Sequence, residues 1–198
     1  MKKGTIITIV AIVAVLAIYC ISAYNSMVKM DENVTAAWAQ VETQYQRRAD
    51  LIPQLVNVVK GAADYERTTL ESVVAARSKA TSIQLTADDL TEENLAKYQK
   101  AQDELGGALG RLIAISEAYP ELKANENFKE LQAQLEGTEN RIAVARKDFN
   151  EAVQSYNSYI RRFPKNIFAG MFGFSQKAYF KAAEGAENAP EVSFDFGK

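Results

Sequence analysis

Glu136 with Glu139, and Glu184 with Glu187, have the Glu-x-x-Glu spacing by which a helix presents two carboxylates to one metal ion. Helical metal sites of that kind also draw on Glu-x-x-His pairs, and this chain has no histidine and a single cysteine, Cys20. Ser-His-Asp and Cys-His catalysis, phosphohistidine transfer and His-ligated zinc, haem or iron are therefore excluded. So are an internal disulfide and a cysteine-rich zinc site. Glu136 and Glu139 lie beside an apolar helical seam and not on it, which is the pattern of a solvated face. The expectation is no metal, no cofactor and no catalytic residue. The competing enzyme reading, a hydrolase using carboxylates and arginines, needs a carboxylate pair in an apolar setting where one pKa is raised, and no seam carries one. Gly106, Gly107 and Gly110 contain a GxxxG spacing but lack the Gly-Lys-Ser/Thr ending and the preceding strand of a phosphate loop. Close approach of a neighbouring helix is the expected reason for them, since each costs about 1 kcal/mol against alanine in a helix.

Two other groups of residues suggest recognition. Arg47, Arg48 and Asp50 form one, and Glu117, Tyr119, Glu121, Lys123 and Asn125 the other. Each lies where a helix is expected to end, so capping and turn formation explain them as readily as the docking of a partner does. Phe168, Met171, Phe172 and Phe174, interspersed with lysine, have the composition of a membrane interface. An apolar plug beneath a helical core would use the same residues. The net charge of −2 argues against nucleic acid as a partner.

These groups must be positioned by helices. Residues 5–23 read TIITIVAIVAVLAIYCISA, without a charge. As a helix they reach roughly 28 Å, enough for a bilayer core and longer than the apolar stretch of a cleaved leader. Cys20 reads as an apolar residue of that span. Lys2 and Lys3 precede the span, which places residues 1–4 in the cytoplasm and the domain that follows residue 23 outside, as in a single-pass protein.

Beyond the span, helical periodicity is nearly continuous. Val34, Trp38, Val41 and Tyr45 mark a first face, continuing out of the membrane. A second helix is expected over 51–79, with Asp50 as its N-cap and Pro53 in its first turn. A third, starting near Thr86, places Tyr98, Ala101, Leu105, Ala108, Leu112, Ile115 and Tyr119 on one face. The fourth runs from an Asn125 cap to Pro164. It carries Phe128, Leu131, Leu135, Thr138, Ile142, Ala145, Phe149, Ala152, Tyr156, Tyr159 and Phe163 at a mean step of 3.5, a left-handed supercoiled seam. The fold class expected is all-α: a transmembrane helix continuing into a long antiparallel up-down four-helix bundle over 24–163, then an aromatic-rich tail over 164–198. That topology puts Arg47–Asp50 and Glu117–Asn125 together at the tip far from the membrane, and Phe168–Phe174 at the base.

YNSMV, AAWAQVETQYQRRADLIPQLVNVVKG, EAYPELKANENFKELQAQLEGTENRIAVARKDFNEAVQSYN and FPKNIFAGMFGF resemble the LemA family, and the likeness extends from Tyr24 to about Phe196. It implies a bacterial single-pass membrane protein with a long helical bundle and no established enzymatic activity. Genomic association of relatives with membrane metalloproteases adds envelope protein quality control as an implied role, and such a protease or its substrates as implied partners. Residues and resemblance together lead us to expect a non-enzymatic, membrane-anchored helical scaffold or interaction module of the cell envelope. The alternative is a structural or adhesive surface protein. Self-association through a seam fits both.

Overall fold

The computed structural model describes residues 3–62, 67–116 and 118–181. Every regular element among them is helical: α1 (Lys3–Ala62), α2 (Arg67–Ser82), α3 (Glu92–Ser116), α4 (Pro120–Ala124), α5 (Glu126–Arg161) and α6 (Lys165–Phe172). A 3-10 turn, Ala87–Asp89, precedes α3. After Gly173, whose left-handed φ of 80° ends α6, residues 174–181 form an extended strap along the body.

The 60-residue α1 reaches about 90 Å at 1.5 Å per residue. Its first third is exposed and strongly apolar, and α1 is the one described helix long and apolar enough to cross a membrane. The helix then runs without a break into the protein body, burying Met27, Val34, Trp38, Val41 and Tyr45, and beyond them Ile52, Leu55 and Val59.

The expected break at Asp50 is not present. Pro53 lies inside α1, and the physical reason is a repair from outside the helix. Proline lacks the N–H that would bond the carbonyl four residues earlier, which belongs to Ala49. The Arg77 side chain of α2 supplies the missing donor, Nε to the Ala49 carbonyl at 2.8 Å. With that carbonyl satisfied, the apolar face continues for two more turns. The expected helix over 51–79 is thereby divided between α1 and α2. The third helix also starts later than expected. The Asp89 carboxylate accepts from the Thr86 N–H (3.1 Å) and hydroxyl (2.7 Å), and this box closes the 3-10 turn, not α3. α3 ends at Ser116, and Tyr119 belongs to the turn before α4. Asn125 does cap α5, accepting the Phe128 N–H at 3.2 Å.

The buried apolar side chains form two clusters stacked along the body. The one nearer the apolar run joins α1 (Trp38, Tyr45), α3 (Leu95, Tyr98), α5 (Phe149, Tyr156), Ala169 of α6 and Phe180 of the strap. The farther one joins α1 (Ile52, Leu55), α2 (Leu70, Val73), α3 (Leu105, Leu112), Leu122 of α4 and α5 (Phe128, Leu135). Trp38 meets Phe149 at 5.5 Å between rings, and Arg48 meets Glu139 at 2.7 Å. Numbering on α5 thus falls as numbering on α1 rises.

The expected α5 seam is buried from Phe128 to Phe149, then rotates to Val153, Tyr156, Asn157 and Ile160, leaving Phe163 81% exposed. The cause is the strap, which occupies that side of α5. Asn157 donates to the Lys177 carbonyl (2.9 Å) and accepts its N–H (3.0 Å). Two turns earlier, Asn150 does the same for Phe180, at 3.0 and 2.9 Å. Two amides at i and i+7 thereby satisfy an extended chain as a neighbouring strand would.

Candidate functional site

Arg48, expected at a tip, is 3% exposed and lies between the two apolar clusters. Its NH1 donates to Glu139 Oε1 of α5 at 2.7 Å. Its NH2 donates to the carbonyl oxygen and side-chain oxygen of Gln102 in α3, at 2.9 and 2.8 Å. Gln102 in turn donates to the Ala80 carbonyl of α2 at 3.4 Å. One polar layer therefore ties α1, α2, α3 and α5 together. Tyr45 lies 5.1 Å from the guanidinium carbon, and Gly106 faces it: a Cβ there would sit 3.7 Å from NH1. Gly110 has open space around it, so close approach of a helix does not account for that glycine. Burial raises the phenols of Tyr45 and Tyr98 beside the layer, against the opposing pull of Arg48.

The other members of the expected arginine group are elsewhere. Arg47 and Asp50 are exposed, and Asp50 accepts from Gln46 at 2.7 Å. Asp50 lies 12 residues, about 18 Å of helix rise, short of the end of α1. Helix ends and α4 are what the second group contributes to. The Tyr119 carbonyl accepts from the N–H groups of Leu122 (3.1 Å) and Lys123 (3.2 Å), and Asn125 caps α5. Glu121 and Lys123 are exposed on the same short helix, while Glu117 falls outside the described residues. The structure therefore brings together Tyr119, Glu121, Lys123 and Asn125, and separates Arg47, Arg48 and Asp50 from them. Nothing in the local sequence around Pro53 signals this, because the donor that carries α1 past it comes from α2.

The aromatic tail divides in two. Phe168 and Phe174 pack against the core, and Phe180 is buried beside Trp38 and Phe149. Lys177 is fixed there too, donating to the Ala87 carbonyl at 2.8 Å with Asp31 and Asp88 at 3.4 and 3.5 Å. Burial, with Asp31 and Asp88 adding to it, pushes the Tyr156 phenol up to about 12. Met171 and Phe172, by contrast, are exposed. Ring contacts fix the height of this corner: Tyr19 with Phe168 (6.0 Å), and Tyr24 with Phe172 (5.1 Å) and Phe174 (5.8 Å). α6 thus lies level with the end of the apolar run of α1.

Among the described residues no group of three or more Asp, Glu or Cys side chains is placed to hold a metal ion. Glu139 of the first Glu-x-x-Glu pair is engaged by Arg48, and Glu184 and Glu187 fall outside the described residues. A cleft of about 700 Å³ between α1 and the connection from α2 to α3 contains Glu42, whose carboxyl burial raises while Trp38 pulls it back. Glu42 is the sole carboxylate lining that cleft, so a second one to share acid and base roles is lacking there.

Comparison with known proteins places this helical architecture among relatives. The chain is 30% identical over 176 residues to the magnetosome protein MamQ of Magnetospirillum gryphiswaldense, covering 79% of this chain and 64% of that protein. It is 29% identical over 175 residues to the magnetosome protein MamQ 1 of Paramagnetospirillum magneticum, covering 80% and 64%. To Protein LemA of Metamycoplasma hominis it is 23% identical over 160 residues, covering 81% and 69%. The chain thus spans about 64% of the length of the magnetosome relatives it matches. The LemA family model matches residues 37–194, from the aromatic core of α1 to beyond the strap, and the chain belongs to the LemA family.

Proposed function

We propose that this chain is a non-enzymatic, membrane-anchored helical scaffold or interaction module of the bacterial envelope, with α1 crossing the inner membrane once. The observation that carries the reading is the continuity of α1. One helix contains both the exposed apolar run and the buried face of the body, so the body's orientation is coupled to the span with no hinge between them. The body is an up-down-up-down four-helix arrangement of α1, α2, α3 and α5. Supporting this are the opposed pairing of α1 with α5 and the polar layer shared by all four helices.

The amino terminus faces the cytoplasm and the body lies outside, following Lys2 and Lys3. Partner docking belongs to the far end, where Glu121 and Lys123 project from α4; the partner is an envelope protein, a membrane metalloprotease or its substrate. Phe168, Met171, Phe172 and Phe174 make the membrane-facing base, with Met171 and Phe172 at its surface.

Labelling Lys123→Cys with a membrane-impermeant maleimide tests the topology, with Cys20 as the shielded internal control. Modification in intact cells is the expected result. Modification only after lysis would overturn the orientation and direct the search to cytoplasmic partners. Release of the chain from membranes by alkaline carbonate would overturn the anchor itself.

A further inference from the structure

The corner between α5 and α6 exposes large apolar side chains that the body does not use. Phe163, at the turn, has the 81% exposure noted above, Ile167 is 52% exposed and Met171 72%. Ile167 and Met171 are four residues apart on α6 and so share one of its faces, directed away from the core contact made by Ala169. Isolated exposed apolar residues are ordinary, but three large ones adjoining on an eight-residue helix and its entry turn make a contact surface. Along residues 156–172 every charged side chain is basic. Arg161 and Arg162 are exposed and take part in no ion pair among the described residues, and Lys165 lies with Nζ 3.7 Å from the centre of the Tyr159 ring. The contacts of Tyr19 and Tyr24 with α6 hold this basic, apolar corner level with the end of the apolar run.

We infer that the α5–α6 corner is a second membrane contact, selective for anionic phospholipid. Phe163, Ile167 and Met171 enter the boundary between headgroups and acyl chains, and Arg161, Arg162 and Lys165 take the lipid phosphates. This deepens the membrane-anchor reading and rests on α1 being the span. Two features suit the role: arginine forks match phosphate oxygens bidentately, and a short interfacial helix gains most from apolar side chains on one face. With one span alone, span and body can tilt together in the bilayer. A second contact beside the span, provided by the end of α5 and by α6, fixes its angle to the bilayer.

The test uses the full chain with Cys20→Ser, reconstituted into vesicles of phosphatidylcholine alone or with a minority of phosphatidylglycerol. An environment-sensitive fluorophore is placed singly at Met171→Cys, at Ile12→Cys in the apolar run and at Ala133→Cys in the body, and is read with brominated lipids as quenchers. Quenching at 12 in both lipids, none at 133, and quenching at 171 at least twice as strong in the anionic mixture is the expected result. Arg161→Gln/Arg162→Gln/Lys165→Gln should abolish that difference at 171, since each basic side chain strengthens association with an anionic surface roughly five-fold. Quenching at 12 without quenching at 171 overturns the inference and leaves the anchor standing. Equal quenching at 171 in the two lipids overturns the anionic selectivity. No quenching at 12 overturns the anchor reading, and the inference with it.

Discussion

Removing Glu139 should destabilise this protein more than removing Arg48, although Glu139 is the exposed member of the pair. Its side chain is 52% exposed, whereas that of Arg48 is almost wholly buried. Glu139→Ala strands a guanidinium whose remaining acceptors are the two Gln102 oxygens and whose Nε has no partner. An uncompensated buried charge costs about 3–5 kcal/mol, and the gap left toward solvent holds the figure near the lower end, about 3 kcal/mol. Arg48→Met keeps most of the apolar stem in place, returns Glu139 to water and loses two hydrogen bonds to Gln102. At about 1 kcal/mol per bond, partly offset by the relieved desolvation, that change costs about 1–2 kcal/mol. The double variant should be no less stable than Arg48→Met alone, a coupling of about 3 kcal/mol between the sites. Urea unfolding of the full chain in mild detergent, followed by helical circular dichroism, measures all three. With a slope of about 2 kcal/mol/M, the midpoint should fall by about 1.5 M for Glu139→Ala and by less than about 1 M for Arg48→Met. If Arg48→Met costs as much as Glu139→Ala, or the two effects add, the asymmetry derived from burial is wrong.

Arg77→Met should cost about 1–2 kcal/mol by exposing the Ala49 carbonyl that Pro53 leaves free, and far less in a Pro53→Ala background; equal losses in both backgrounds in the same urea assay would refute the repair. Asn157→Ala removes both bonds to Lys177, about 2 kcal/mol of strap attachment, so trypsin cleavage at Lys181 should quicken by more than ten-fold; a change under about two-fold would count against the amide brackets. Tyr45, Tyr98 and Tyr156 have raised phenol pKa values in the fold, so their stabilising contribution is complete below the ordinary phenol range near 10 and is lost as pH rises toward their folded values, about 12 for Tyr156. Phenolate absorbance should therefore appear in two phases, the later one coinciding with loss of helix, and a single early phase would show these phenols to be accessible. Gly110→Ala meets no neighbour and should stabilise by about 1 kcal/mol, raising Tm by roughly 2–4 °C in a thermal melt; a fall would mean that α3 requires its glycine.

Most of the helical content is legible one segment at a time, because a buried helix face leaves a periodic trace. Val34, Trp38, Val41 and Tyr45, and α5 from Phe128 to Phe149, are read correctly for that reason. Asn125 is legible as a cap because a cap is a local hydrogen bond. The tip is misread because Pro53 is a strong local signal answered by a non-local donor. Arg48 illustrates the same limit. An arginine beside a second arginine looks like surface, and only the arrival of Gln102 and Glu139 from α3 and α5 makes it interior. The strap has no period at all, and its place depends on Asn150 and Asn157 being two turns apart on a helix it meets only after α6 reverses the chain.

Composition and periodicity by themselves thus determine that the regular elements among the described residues are helical, with one membrane-length apolar run, and that chemistry needing a histidine or a cysteine pair is excluded. They do so because transfer free energy and helical geometry act on each segment separately. Where α1 ends, which arginine is buried and which aromatic residues stay on the outside are decided only by the tertiary structure. Each of those depends on a buried polar group finding its partner on another helix, and an unsatisfied carbonyl or charge costs as much as several apolar contacts.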